Sequence, residues 1–172
     1  EEKRQYTSEE QAQIKEEIRE LRQFEALARS IIKNSKGEVL LIALKRGFAA
    51  ATEKGAKKKA IIFTESRRTQ EYLYKLLEQT EYAGKIVLFN GSNTDPTSKE
   101  IYRNWVEKHK GTDRVTGSKS ADMRAALVDY FYDEAIIMIA TEAAAEGINL
   151  QFCSLVVNYD LPWNPQRIEQ RI

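Results

Sequence analysis

Apolar positions divide the chain into a helical beginning and a longer part in which short apolar runs alternate with helical stripes. Ser8 with Gln11 has the form of a capping box, and Gly37 has the form of a helix end. Between them apolar residues recur at gaps of about three, four and seven, as on one helix face: Ile14, Ile18, Leu21, Ala28 and Ile32. This stripe predicts a long amphipathic helix that packs on its own domain or on a partner helix.

The rest of the chain predicts an α/β fold. A second helix is expected from about residue 38 to residue 54, ended by Gly55. Buried strands are then indicated by short apolar runs, with helical stripes in between: residues 60–64, 85–89, 135–140 and 155–159. Strands joined by helical crossovers form parallel sheets, and such sheets bind ligands at the carboxyl ends of their strands. We therefore expect a mainly parallel sheet flanked by helices, with the functional site at that edge.

Small polar residues lie where the predicted strands end. Free N–H groups and hydroxyls at a strand-to-helix junction favour phosphate or another anion, and Gly91 would let a backbone approach closely. A plain helix cap by Ser66 or Thr69 explains the first junction equally well. The residues at these three strand ends are Thr64, Glu65 and Ser66, then Asn90, Gly91 and Ser92, then Thr141.

Composition adds limits to this interpretation. A chain of 172 residues with 42% hydrophobic content can bury one good core. The net charge of +1 does not indicate a nucleic-acid binder, so any basic surface must come from local clustering. Cys153 is the only cysteine, which excludes an internal disulfide. With no signal peptide and no membrane-spanning run, we expect an intracellular, cytoplasmic protein.

Two groups of segments resemble conserved motifs of a known family, and they occur in the order of those motifs. The chain ends with ATEAAAEGINLQ, VVNYDLPWNP and QRIEQRI, and earlier it contains AIIFTESRRTQEYLYKLL and VLFNGSN. The first group resembles motifs V and VI of superfamily-two helicases. The second resembles motif IV with the strand and loop that follow it. The likeness covers roughly residues 58–172 and is nearest to Snf2-like translocases and the bacterial RNA-polymerase-associated ATPases.

The resemblance implies a fold and an activity. Residues 57–172 would form a RecA-like three-layer domain, preceded by helices over residues 1–56. This would be the C-terminal motor lobe of an ATP-dependent, bacterial helicase or Snf2-like translocase that couples ATP hydrolysis to movement on DNA. ATP and Mg²⁺ would be cofactors of the complete enzyme, held between this lobe and an N-terminal RecA-like lobe of the same chain. The nucleic acid implied is duplex DNA, although the motifs do not separate DNA from RNA.

The resemblance also assigns roles to residues. It places four on the nucleotide side of the lobe: Glu146, Gly147, Asn149 and Gln170. It places seven against the nucleic-acid backbone: Thr64, Ser66, Arg67, Asn90, Gly91, Ser92 and Thr141. No catalytic residue is assigned in this piece. No metal site is assigned either, because the only histidine, His109, sits in a basic loop where it is usually solvated.

The chain departs from the family pattern in three ways. Motif VI is cut short, so the two arginine fingers expected after Gln170 are absent, and Arg167 and Arg171 do not replace them. No GxxxxGK[ST] phosphate loop or acidic magnesium-binding run occurs. Residues 93–120 form an insertion, in which the apolar residues indicate one short helix. Ser120 is predicted to cap the helix that follows the insertion. We expect this piece alone neither to hydrolyse ATP nor to bind it tightly.

Several alternatives stay open. A motor-like lobe that holds nucleic acid or a protein without catalysis fits the same residues. A different nucleotide-binding α/β enzyme is disfavoured, because no GxGxxG follows the first strand and no nucleophile and base flank the lone histidine. The lysines at 57–59 form either a phosphate contact or a solvated run, and Arg124 is either a phosphate ligand or an exposed helix residue. The insertion binds DNA, a partner or neither.

Overall fold

A computed structural model describes residues 7–30, 35–141 and 148–160 of the chain. The chain divides into two compact units, residues 1–38 and residues 39–172. The described elements, in chain order, are α1 (Ser8–Ser30), α2 (Ser35–Glu53), β1 (Ala60–Thr64), α3 (Arg67–Leu77), β2 (Ile86–Phe89), α4 (Pro96–Lys108), α5 (Lys119–Asp133), β3 (Ile137–Thr141) and β4 (Leu155–Asn158).

Helix α1 begins with a capping box one residue earlier than the sequence pattern indicated. The Thr7 backbone N–H donates to Glu10 Oε2 at 2.8 Å, and the Glu10 N–H donates to Thr7 Oγ1 at 3.2 Å. These two hydrogen bonds form a capping box at Thr7 and Glu10, whereas the side chain of Ser8, the predicted cap, lies outside what the structure describes. Gly37 lies inside α2 and so does not end the first helix. Three residues of the predicted apolar stripe, Ile14, Ile18 and Leu21, are exposed on α1, with Ile14 at 40%.

The second unit is built on a four-stranded parallel sheet in the order β2-β3-β1-β4. Strands β1 and β3 lie in the middle and are buried along their whole length, which explains their unbroken apolar sequences. Strand β4 pairs with β1 at one side of the described sheet. It is half-buried, and Val156 is 45% exposed, so the expectation of a fully buried last strand is wrong.

Helices cover both faces of the sheet and give it three layers. On one face α2 and α3 bury Leu44, Phe48, Leu73 and Leu77 against the strands. On the other face α4 and α5 bury side chains against β2 and β3: Ile101, Trp105, Leu127 and Phe131. The predicted RecA-like α/β fold is confirmed in this arrangement.

The insertion is mostly helix. Asp95 caps α4 by accepting from the Ser98 N–H at 2.8 Å, and Pro96 follows at the first helical position. The helix spans 13 residues, longer than the short helix predicted. His109 is half-buried at its end and its ring lies 4.9 Å from that of Trp105, so the expectation of a merely solvated histidine is wrong.

The turn between α4 and α5 is held by side chains of both helices. Asp129 Oδ2 accepts from Trp105 Nε1 at 2.6 Å and from the Arg114 guanidinium at 2.7 Å. Ser118 is the N-cap of α5, and Lys119 is the first residue of the helix. The predicted cap at Ser120 is therefore wrong. The Ser118 side chain makes no capping hydrogen bond.

The lysine run before β1 has two kinds of residue. Lys57 and Lys58 are exposed, whereas Lys59 is buried and its ammonium donates to the carbonyls of Phe131 and Ala135 at 2.7 and 2.6 Å. Burial, and then the charge of Lys57, lower the pKa of Lys59. Lys59 therefore joins the end of α5 to the sheet, and neither a phosphate contact nor a solvated position describes it.

Candidate functional site

The sheet register brings three of the predicted residues into one row. Thr64 pairs with Thr141 at the carboxyl ends of β1 and β3. Asn90 follows Phe89, which pairs with Ala140, so Asn90 lies beside Thr141 on the other side. Two strand spacings separate the ends of this row, which is about 10 Å. That span is about the axial length of three nucleotides of one strand.

The junction between β1 and α3 forms the middle of this edge. Ser66 is the N-cap of α3, and its Oγ accepts from the Thr69 N–H at 3.0 Å, as the plain-cap interpretation predicts. The buried Thr64 hydroxyl donates to the Ser66 carbonyl at 2.9 Å. Ser66 and Arg67 remain exposed at the helix N-terminus, where partial positive charge favours an anion. Thr64 therefore positions the turn, and the exposed residues face outward.

A buried polar network supports the neighbouring strand end. Gln70 on α3 is 1% exposed, and its Nε2 donates to the carbonyls of Phe89 at 3.1 Å and Ile139 at 2.7 Å. Its Oε1 accepts from Asn90 Nδ2 at 3.0 Å. The pattern that could have revealed Gln70 is its position on the buried face of α3, three residues before the core residue Leu73. Sequence analysis treated this helix as core packing alone and missed it.

The same asparagine shapes the loop after β2. Asn90 Oδ1 accepts from the N–H groups of Ser92 at 3.1 Å and Asn93 at 2.9 Å, while its own N–H donates to Asn93 Oδ1 at 2.7 Å. Asn93 takes a φ of 45°, a left-handed conformation that asparagine tolerates better than most residues. Gly91 and Ser92 are exposed at the tip. A buried amide thus fixes an exposed, small-residue loop.

A cavity of about 400 Å³ opens beside this loop, between the N-terminal ends of α4 and α5. Three cationic residues line it: Lys99, Lys119 and Arg124. No carboxylate is among the described residues that line the cavity. The Arg124 guanidinium carbon lies 5.5 Å from the centre of the Phe89 ring and is half-buried, so it is not merely an exposed helix residue. The cavity therefore carries the local positive charge that the net charge of the chain does not reveal.

Sequence reasoning missed Lys99 and Lys119 as members of one site. They are twenty positions apart and come from different helices, so no local spacing connects them. Lys99 follows the Asp95-Pro96 start of α4 and Lys119 is the first residue of α5, and a parallel fold places helix starts near the carboxyl edge. That combination was the available signal.

The nucleotide-side residues lie only partly within the described chain. Asn149 is exposed, and its Oδ1 accepts from the Gln151 N–H at 3.2 Å. Glu146, Gly147 and Gln170 lie outside the described residues. Cys153, four residues after Asn149 along the chain, is a poor nucleophile, because burial raises the pKa of its thiol to about 12. These observations connect one predicted nucleotide contact to an exposed loop before β4.

Comparison with known families agrees with this fold. Residues 71–172, more than half of the chain, match the helicase conserved C-terminal domain. The chain belongs to this family, and the predicted relation to the C-terminal lobe of superfamily-two helicases is confirmed.

Individual relatives extend the comparison. An uncharacterized ATP-dependent helicase, YqhH of Bacillus subtilis, is 40% identical over 114 residues, which is 66% of this chain and 15% of that protein. The DNA repair and recombination protein RAD54 of Saccharomyces cerevisiae is 33% identical over 107 residues, 60% of this chain and 12% of that protein. The ATP-dependent RNA helicase RhlB of Actinobacillus succinogenes is 29% identical over 119 residues, 69% of this chain and 28% of that protein.

The relatives are much longer than the matched region. The chain spans 15%, 12% and 28% of these three proteins. Their names include both a DNA repair protein and an RNA helicase, so the family is clear and the choice of polymer is not. Within the described part of the chain, none of the helices combines the length and apolar character needed to cross a bilayer.

Proposed function

We propose that this chain is the C-terminal motor lobe of an ATP-dependent, Snf2-like translocase, and that it grips the phosphate backbone of duplex DNA. The observation that carries the proposal is the joint placement of the Thr64, Thr141 and Asn90 row beside a cavity whose charged lining, among the described residues, is cationic. Phosphate is the ligand that such an edge suits, since it takes N–H groups, hydroxyls and cations together.

Two kinds of residue would share the work at this edge. The buried side chains of Thr64 and Asn90 already make hydrogen bonds within the fold, so they would position the loops. The exposed Ser66, Arg67, Gly91 and Ser92 would make the direct contacts. Contacts to phosphate carry no base sequence, which suits a motor that must move along any sequence.

ATP with Mg²⁺ would supply the free energy for movement in the complete protein. The nucleotide would lie between this lobe and an N-terminal RecA-like lobe. Asn149 fits a nucleotide-side role, because its exposed side-chain amide offers both a donor and an acceptor. Glu146, Gly147 and Gln170 belong to the same proposed surface through their motif positions.

Duplex DNA is the proposed polymer because the segments EGINLQ and DLPWNP resemble the sequences of these motifs in Snf2-like proteins. The similarity to the DNA repair and recombination protein RAD54 supports the same choice. The similarity to RNA helicases such as RhlB makes RNA the main competitor. Contacts to backbone phosphates can form with either DNA or RNA, so the preferred polymer has to be measured.

The decisive experiment measures ATP hydrolysis by the complete protein with duplex DNA, single-stranded DNA and RNA at one salt concentration, because phosphate binding depends on salt. We expect the strongest stimulation with duplex DNA. Stronger stimulation by single-stranded DNA or RNA would redirect the proposal to an unwinding helicase. If no polymer supported hydrolysis, the motor function would be wrong and a non-catalytic binding module would remain.

A further inference from the structure

A second cavity of about 400 Å³ lies between α4 and α5, and it shares no lining residue with the cationic cavity. Its floor is apolar and buried, formed by Ile101, Trp105 and Ala126. Tyr130 lines it as a half-buried aromatic ring. We call this cavity the α4–α5 groove. An apolar floor open to solvent favours the burial of a side chain from another molecule.

The rim of the groove is acidic. Glu100, Asp133 and Glu134 are exposed there, against the single ammonium group of Lys108 among the described lining residues. No salt bridge joins any of these three carboxylates to another described residue. The fourth acid, Asp129, is already paired with Arg114. Asp133 and Glu134 also act on the buried Lys59 ammonium. The described residues that line the groove still carry more negative than positive charge.

The negative potential reaches the groove interior. Burial raises the pKa of the Tyr130 phenol, and the charges of Glu134 and then Glu100 raise it further. Both carboxylates thus act on one side chain from the two helices that form the groove walls. A phosphate or a carboxylate would meet repulsion here, so nucleic acid does not fit the groove.

We propose that the α4–α5 groove binds an amphipathic, arginine-bearing segment of a protein partner. Charge complementarity with the three rim carboxylates selects a basic partner, and the apolar floor selects one that also carries aliphatic or aromatic side chains. Arginine suits the site better than lysine, because its planar guanidinium stacks on an aromatic ring and pairs with a carboxylate through two hydrogen bonds.

The groove and the cationic cavity lie on different sides of α4. Lys99 lines the cationic cavity, whereas its neighbours Glu100 and Ile101 line the groove. A partner segment in the groove would leave the proposed phosphate-binding edge free. The insertion would then give the lobe a partner-binding surface that works whether or not nucleic acid is bound.

The test uses the complete protein and a fluorescein-labelled synthetic peptide with leucines on one helical face and arginines beside them. Binding is measured by fluorescence anisotropy. The combined E100Q, D133N and E134Q variant keeps the shape of the groove and removes its charge. A matched variant, E53Q, E71Q and D113N, removes the same charge from exposed positions elsewhere.

We expect the groove variant to weaken peptide binding about tenfold and the matched variant to leave it unchanged. The difference in tryptophan emission between wild type and a W105F variant reports on Trp105, and this Trp105 signal should shift as the peptide covers the groove floor. A peptide with serine in place of leucine should bind more weakly as well. Equal weakening by both protein variants, or an unchanged Trp105 signal on saturation, would overturn the proposal.

Discussion

Gln70 links the core of the lobe to its proposed ligand edge. One side-chain amide joins the carbonyls at the ends of β2 and β3 to the side chain of Asn90, which in turn fixes the exposed loop at Gly91 and Ser92. A polar side chain this deeply buried is stabilising only while all its hydrogen bonds are made. The precision of the edge therefore depends on a residue that touches no ligand.

Replacing Gln70 with leucine keeps most of the volume and removes all three hydrogen bonds. Two buried carbonyls and the Asn90 amide lose a partner, so we expect the free energy of unfolding to fall by about 2 to 4 kcal/mol. Urea denaturation followed by circular dichroism measures the change. Q79L, at an exposed turn position, is the control. A loss no larger than that of the control would refute the role of Gln70.

At the level of single residues, the sequence predicted those whose motif positions coincide with strand ends. The parallel register confirms that Thr64, Thr141 and Asn90 share one row. The sequence pattern could not predict which of these side chains are turned inward, because that depends on hydrogen-bond partners far apart in sequence. Lys59 illustrates the limit, since its two acceptors lie 72 and 76 positions away.

Elements were easier to predict than their ends. The apolar runs of β1 and β3 are buried on both faces, so their composition alone identified them. The starts of α1 and α5 were misplaced because serine, threonine and aspartate compete for the capping positions. At α5 the decisive group is Asp122, which sits within the first turn and holds the preceding loop from inside the helix.

The start of α5 gives a pH-dependent prediction. The Thr116 hydroxyl, then the Thr116 N–H, lower the pKa of Asp122 below its ordinary value of 3.8, and the Gly117 N–H adds to this. A carboxyl whose pKa is lower in the folded state stabilises the fold above its unfolded pKa and loses that contribution as the pH falls through the folded pKa. We expect wild type to be more stable than D122N at neutral pH.

Thermal denaturation at a series of pH values tests this. The difference between wild type and D122N should shrink as the pH falls below 3.8. D113N changes an exposed aspartate in the same connection between α4 and α5 and is the control for the loss of one carboxylate there. A difference that stays constant through this range would mean that the charge of Asp122 does not hold the turn.

The cationic cavity is assembled by two elements and predicts a change in salt dependence. The logarithm of the binding constant falls with the logarithm of salt concentration, and each lost phosphate contact makes this fall less steep by about one unit of slope. The K99A and K119A double variant of the complete protein should therefore reduce the magnitude of this slope by about two. It should also weaken binding equally for unrelated duplex sequences. Fluorescence anisotropy over a range of salt concentrations measures both effects.

The matched control is K75A with K110A, which removes two exposed lysines outside the cavity. The control should leave the slope unchanged. If both double variants lowered the slope equally, binding would reflect general surface charge, and the cavity would not be the grip.

On the scale of the whole molecule, the lobe separates its surfaces by charge. The carboxyl edge with its cationic cavity suits phosphate, and the acidic α4–α5 groove excludes it. This arrangement is hidden in a net charge of +1, because 27 basic and 26 acidic residues nearly cancel. Folding therefore produces an electrostatic pattern that composition could not predict, while the family motifs predicted the architecture that carries it.

The proposed division of an ATPase site between two lobes yields the last prediction. The 172 residues contain no GxxxxGK[ST] loop to cradle phosphates, yet they contain the proposed backbone grip. The isolated chain should therefore bind duplex DNA with a salt-dependent affinity and release no phosphate from ATP above background. Anisotropy and a phosphate-release assay measure the two properties on one preparation, with the complete protein as the positive control. Hydrolysis by the isolated chain would contradict the two-lobe mechanism, whereas loss of DNA binding would place the grip outside this lobe.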